Sequence, residues 1–165
     1  MSGVIKIVEL DDILIKKAAR LVTEVFPSRN LPERLSFWVY KRRNNPFVRL
    51  ISFYWCLLNY WAAVNDNGDV CGICGLYTYK KDEREAVWLG WFCVDPNHRG
   101  RGIGKKLIEF SIVEARKHNK KYFRLYTSTD PNEAAAQNLY EKYGFKITRR
   151  EQNRSGARIF RELKL

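Results

Sequence analysis

Histidine and cysteine are scarce in this chain of 165 residues, with two of the first and four of the second. The nearest thing to paired metal ligands is Cys71-Gly72-Ile73-Cys74. Cys56, Cys93, His98 and His118 offer no second pair, so a zinc knuckle would lack half its ligands. Small strand residues beside glycines are the simpler reading, because residues three apart on a strand point to opposite faces. Neither a disulfide framework nor a basic-then-apolar leader is evident, and both absences point to a reduced, cytoplasmic protein. Long apolar runs are missing too: the most apolar stretch, Phe47 to Val64, is interrupted by Arg49 and Asn59 and reads as core or substrate wall rather than a membrane span. Without repeats, linkers or low-complexity tracts, residues 1–165 are expected to form one mixed α/β domain.

Acidic residues are also in short supply. The chain carries 30 Lys and Arg against 18 Asp and Glu, a net charge of +12. From Arg99 to the end the ratio is 17 to 7, so nearly all the excess lies in the C-terminal half. Such a bias fits a phosphate-bearing ligand, contact with nucleic acid or the ribosome, or a solvated basic surface.

Hydrophobic patterning orders the elements. A short strand at Ile5–Glu9 precedes a helix from Asp12 to Phe26, capped by Asp11 or Asp12. Pro32 starts a second helix to about Asn44, and Phe47–Leu58 is ambiguous between helix and strand. Tyr60–Val64 and Val70–Tyr79 read as a hairpin turning through Asn65–Asp69. Lys80–Glu85 links to Val87–Val94, an apolar strand stopped by Pro96. A helix then runs from Gly102 to His118, followed by strand Tyr122–Thr127, helix Asn132–Tyr143, and two strands, Phe145–Glu151 and Ala157–Leu163.

Between the apolar strand and the helix lies Val94-Asp95-Pro96-Asn97-His98-Arg99-Gly100-Arg101-Gly102-Ile103-Gly104-Lys105. Glycines let the backbone turn sharply, and the first amides of a helix have no intrahelical partners, so this context favours a phosphate. A nucleotide P-loop would need Ser or Thr after Gly104-Lys105, where Lys106 stands. The alternating Gly100, Gly102 and Gly104 also fail the spacing of a dinucleotide fingerprint.

Arg99-Gly100-Arg101-Gly102-Ile103-Gly104 resembles the Arg/Gln-x-x-Gly-x-Gly/Ala loop of the GNAT superfamily of N-acetyltransferases, which binds the pyrophosphate of acetyl-CoA. Asn132 to Phe145, with Leu139-Tyr140 and Gly144-Phe145, is similar to that family's second C-terminal motif. The resemblance covers about Val87 to Lys146. It implies a central, mixed, mostly antiparallel twisted sheet flanked by helices. It also implies acetyl-CoA as co-substrate, contacted by Phe92, Cys93, Val94, Arg99, Gly100, Arg101, Gly102, Ile103, Gly104, Lys105, Asn132 and Tyr140.

By the same resemblance, backbone amides at Phe92, Cys93 and Val94 hold the thioester carbonyl, and Tyr140 is the general acid; a core tyrosine beside Leu139 is the alternative. Counting back seven residues from Tyr140, where the family has asparagine, reaches Glu133 rather than Asn132. The family's strand carboxylate is missing from Trp88-Leu89-Gly90-Trp91. Glu85, with Glu83 behind it, is the nearest candidate for a general base, against the simpler role of a solvated loop charge. His98 reads as a loop cap or a solvent contact.

Nine of the 23 aromatic residues fall between Phe37 and Trp61, enough to shape a pocket for a bulky amine or to fill the core. Arg42, Arg43 and Arg49 would favour an acidic acceptor or coat the surface. The expected activity is transfer of an acetyl group from acetyl-CoA to a primary amine, with no metal and no membrane partner. Nucleic acid is allowed but not expected, as is a homodimer. The alternatives are a non-catalytic acyl-CoA-binding module and a basic nucleic-acid- or ribosome-associated protein.

Overall fold

The computed structural model describes residues 4–27, 31–51, 55–153 and 156–165, and the side chains among them except at 31, 32, 49–51, 55–58, 132 and 153. Asn65 organises the best-defined turn. Its side-chain oxygen accepts from the amides of Asn67 at 3.0 Å and Asp69 at 2.8 Å, and Gly68 completes the reversal at φ +76°. The turn joins β2 (Trp55–Val64) to β3 (Val70–Tyr79), and β1 (Lys6–Glu9) pairs antiparallel along β2.

The sheet continues through β4 (Ala86–Leu89), β6 (Tyr122–Ser128), β8 (Gly156–Lys164) and β7 (Lys146–Asn153), in the order β1-β2-β3-β4-β6-β8-β7. The pair β4–β6 is parallel and every other pair antiparallel. This is the mixed, mostly antiparallel sheet that the family resemblance implies.

Helices cover both faces. α1 (Asp12–Val25) is capped by Asp11, whose carboxylate accepts from the amides of Ile13 and Leu14. Its buried stripe, Ala18, Leu21, Val22 and Val25, follows the helical period. With α2 (Leu31–Lys41) it packs an apolar cluster that includes Phe37, Tyr40, Tyr60 and Ile73. On the other face α4 (Ile103–Arg116) and α5 (Ala134–Lys142) enclose Leu107, Ile108, Phe123, Leu125, Tyr140 and Phe145. Among the described residues no helix is long and apolar enough to cross a membrane.

The ambiguous Phe47–Leu58 stretch divides into α3 (Pro46–Ile51) and the start of β2, with 52–54 outside the described residues. Pro46 starts α3, and Asn45 caps it by accepting from the amides of Phe47 and Val48. Cys71 and Cys74 both join the cluster beneath α4, against the expectation that they face opposite ways. A register shift opposite Ala63 and Val64 makes Cys71 an extra residue on β3, which resets the alternation.

The larger departure is at Val87–Val94, which is two strands and not one. β4 ends at Leu89 and β5 is only Cys93–Val94, paired with β3. Gly90, Trp91 and Phe92 thus face only Cys74 and Gly75 across the ladder. Tyr60 causes the break. A Cβ on Gly75 would lie 2.1 Å from the Tyr60 ring and one on Gly90 would lie 2.9 Å from its hydroxyl, so both glycines make room for this phenol. The Trp91 main chain lies close to the same hydroxyl.

Beyond the break β5 stays with β3, while β6 follows β8 as far as Ser128 paired with Arg158. The sheet is zipped at the other end. There Arg124 on β6 reaches Asp82 at 3.0 Å, Glu85 at 3.1 Å and Glu162 at 2.7 Å. β4 and β6 therefore start together and part at Leu89, which opens a cleft in mid-sheet.

Candidate active site

A cavity of about 1190 Å³ occupies that cleft and runs from the glycine loop to α2. At one end Asp95 accepts from the Asn97 amide at 2.7 Å, shaping a short 3₁₀ turn, and Arg99 Nε reaches back to the Val94 carbonyl at 3.4 Å. Gly100 and Gly102 both have φ +75°, and a Cβ at either would meet no atom within 4 Å. Backbone conformation, and not crowding, is what selects glycine here.

Gly102 is the N-cap of α4 and has no side chain to cap with. The first helical bond of α4 runs from Lys106 N–H to the Gly102 carbonyl, which leaves the amides of Ile103, Gly104 and Lys105 without intrahelical acceptors. Free amides, a helix dipole and open space suit a pyrophosphate. Arg99, Gly100, Gly102, Ile103 and Gly104 line the cavity, whereas Arg101 and Lys105 lie outside its wall with exposed side chains. The Ile103 side chain is buried in the core, so only its main chain is available to a ligand.

The middle of the cavity is walled by Leu89 to Val94 on one side and Leu125 to Ser128 on the other. The ladder sets which amides are free. Asp95 N–H donates to the Cys71 carbonyl at 2.9 Å, and Cys93 stands opposite Ile73, so the Cys93 amide turns toward β3. By alternation the amides of Phe92 and Val94 turn toward the cleft. The expected trio is therefore reduced to two. The Cys93 thiol is pushed up to about 12 by burial, which keeps it a neutral core group.

Tyr140 projects from α5 into the cavity and is 3% exposed, with ring contacts to Phe92 and Phe145 at centroid distances of 5.7 Å each. It is core and cavity wall at once. Burial raises its pKa, the Glu133 charge adds to the rise, and Arg161 opposes it, so the phenol keeps its proton at neutral pH.

Glu85 is not brought to the cleft. It stands at the start of β4, beyond the zipped end, paired with Arg124 and absent from the cavity wall. The carboxylates that do line the cavity are Glu33, Asp130 and Glu133. Glu133 is held by Ser128, whose amide and hydroxyl each donate to it at 2.8 Å, and burial raises its pKa. The seven-residue count back from Tyr140 was the one signal for it. The Asn132 side chain lies outside the described residues.

His98 lines the loop end beside Asp95, at 3.5 Å. The aromatic segment contributes less than its density suggests. Tyr60 lines the cavity, Phe37 and Tyr40 fill the core, Trp38 and Phe47 are exposed, and residues 53 and 54 lie outside the described residues. The aromatic wall instead comes from Tyr77, Tyr79, Trp91 and Tyr126. Arg42 stacks over Trp38 and Arg43 pairs with Glu9, both away from the cavity. Among the described residues no three His, Cys, Asp or Glu side chains form a metal-binding group.

The split sheet, the glycine-rich helix start and the tyrosine facing the split together form one cleft. The chain belongs to the GNAT acetyltransferase family: residues 57–147 match the model of the acetyltransferase (GNAT) domain. A probable spermine N(1)-acetyltransferase from Bacillus subtilis subsp. natto is 32% identical over 84 residues, covering 48% of this chain and 55% of that protein. N-alpha-acetyltransferase 30 of Saccharomyces cerevisiae is 31% identical over 120 residues, covering 70% of this chain and 62% of that protein. The chain thus spans a little over half the length of these curated relatives. Among solved structures, an aminoglycoside 6′-N-acetyltransferase complexed with coenzyme A shares the fold at a TM-score of 0.69 and 17% identity, covering 96% of each chain.

Proposed function

We propose that residues 1–165 act as one N-acetyltransferase domain that moves an acetyl group from acetyl-CoA to a primary amine by direct attack, with both substrates bound together. The observation that carries this reading is the set of main-chain amides left open by the helix start at Ile103–Lys105 and by the ladder at Phe92 and Val94. The helix-start amides and Arg99 bind the pyrophosphate, and Lys105 and Arg101 add positive potential from outside the wall. The pantetheine arm runs down the cleft, which brings the thioester carbonyl to the Val94 amide. That support comes from the residues' own arrangement and from a fold neighbour holding coenzyme A.

The amine reaches the cleft as an ammonium ion with a pKa of roughly 10.4 for an alkyl amine, so it must lose a proton before it attacks. Its lone pair then forms the C–N bond while the carbonyl electrons move to oxygen, where main-chain donors stabilise the developing charge. As the C–S bond breaks, the nitrogen gives its second proton to water in the cleft, Tyr140 gives its own proton to the departing sulfur, and the tyrosinate takes a proton back from that water. Burial keeps the phenol protonated until the thiolate forms, and it also makes the phenol a weaker acid than an exposed tyrosine.

Calorimetric titration with acetyl-CoA, CoA and desulfo-CoA tests the reading. Binding of all three, followed by thiol release with an amine, is the expected result. An absence of binding would remove its basis.

A further inference from the structure

Charge is kept out of the core with one exception, which lies under α5. Arg161, on β8, is 2% exposed and is the one charged residue that is buried among the described residues. A guanidinium stays protonated wherever it is placed, so the fold holds a full positive charge away from water. Its pairing is incomplete. Nη2 donates to Glu141 at 3.0 Å and to Gln137 at 3.3 Å, while Nε and Nη1 have no hydrogen-bond partner among the described residues. The Glu141 side chain is 59% exposed, so water screens much of what that carboxylate contributes.

A cation buried with open N–H groups is costly unless negative charge comes to lie near it. Arg161 is absent from the cavity wall, so those groups are not offered to a bound substrate. The remaining source is a protein group that becomes an anion during the reaction.

Position singles out Tyr140. Gln137, Tyr140 and Glu141 stand three and four residues apart on α5 and so share one side of the helix. On the sheet, Arg161 stands opposite Leu125 of β6, which lines the cavity and packs in one cluster with Tyr140. The same turn of α5 therefore meets the cleft through Tyr140 and the buried cation through Gln137 and Glu141. Electrostatics agrees with the geometry: burial and the charge of Glu133 hold the proton on the phenol, and Arg161 opposes them.

We propose that Arg161 is a positioning residue for acetyl transfer, its buried charge stabilising the tyrosinate that forms when Tyr140 gives its proton to the departing sulfur. The guanidinium gives up no proton and acts through Tyr140 alone. This rests on the reading of Tyr140 as general acid and resolves a difficulty within it. A phenol made less acidic by burial needs a compensating charge nearby, and Gln137 and Glu141 fix where that charge sits.

The test puts 3,5-difluorotyrosine in place of Tyr140, because its fluorines lower the phenol pKa into reach and report ionisation by fluorine NMR without any acceptor. Arg161→Gln should raise the measured pKa by at least about 0.5, and Arg161→Lys should hold it within about 0.3 of the parent. Glu141→Gln breaks the ion pair but leaves the cation, so it should not raise the pKa; a purely structural tie would make it behave like Arg161→Gln. In thiol release from acetyl-CoA with 1-aminopentane as the probe, Arg161→Gln should lower kcat at least about threefold, and adding Tyr140→Phe should abolish that difference. A pKa unmoved by Arg161→Gln, an equal rise with Glu141→Gln, or a kcat loss that persists without the Tyr140 hydroxyl overturns the proposal. Should Arg161→Gln fail to fold, the other two titrations decide, and a rise of about 0.5 in either overturns it. A Tyr140→Phe variant with the parent's kcat strikes the general-acid reading underneath instead, so the two failures are told apart.

Discussion

The two ends of the cleft are built in different ways. The loop end is local and made of main chain: consecutive residues from Val94 to Lys105 supply a turn, two left-handed glycines and a run of open amides. The far end is made of side chains drawn from distant parts of the chain, with Glu33 on α2, Tyr77 and Tyr79 on β3, Tyr126 on β6, and Glu133 at the start of α5. A main-chain site needs a backbone shape, which glycine spacing announces in the sequence. A side-chain site needs a fold to assemble it.

The sharpest way to break the comparison is at Gly102. Replacing it by aspartate forces a side-chain residue to φ +75°, at roughly 1–2 kcal/mol, and sets a negative charge at the proposed pyrophosphate site. Acetyl-CoA affinity in calorimetry should fall at least ~100-fold. Unchanged affinity would remove the loop from the site.

Next in size is Tyr140→Phe, which deletes one proton donor from the junction of the two ends. We expect kcat to fall about 100-fold while acetyl-CoA affinity stays within about twofold. Equal losses in both would make Tyr140 a packing residue.

Glu133→Gln sharpens the far end. The folded state raises the Glu133 pKa above 4.5, so it favours the protonated form. The associated stability is complete below the unfolded value and lost as pH rises through the folded one. The glutamine variant should therefore melt about 1–3 °C above the parent at pH 8, with the gap closing by about pH 4. A gap that persists in acid would point to altered packing. The smallest effect belongs to Glu85→Gln. Paired with Arg124 at the zipped end, it should leave kcat within about twofold, and a large loss there would restore Glu85 as a base.

How far these features were legible follows from the same difference. The helix periods, the Asn65 turn and the order of strands could be read because each depends on residues near one another. The broken strand could not, since it depends on Tyr60 reaching through Gly75 and Gly90 from another strand. The same holds for the free amides: alternation assigns Phe92 and Val94 to the cleft and Cys93 to the ladder only once Ile73 is known to stand opposite Cys93. The dense aromatics from Phe37 to Trp61 misled as a pocket signal because Phe37 and Tyr40 pack beneath α1 and α2, Trp61 packs beneath α4, and Trp38 and Phe47 are exposed, leaving most of the aromatic wall to tyrosines of β3 and β6. Glu133 hid behind a one-residue offset from Asn132.

The central claim is that acetyl-CoA is held chiefly by main-chain amides of the broken strand and the helix start. Amide hydrogen exchange with and without acetyl-CoA measures this directly. Slowed exchange on binding at Phe92, Val94 and Ile103–Lys105, with Cys93 already slow beforehand, is the predicted result. Binding that leaves the exchange of those amides unchanged would contradict it.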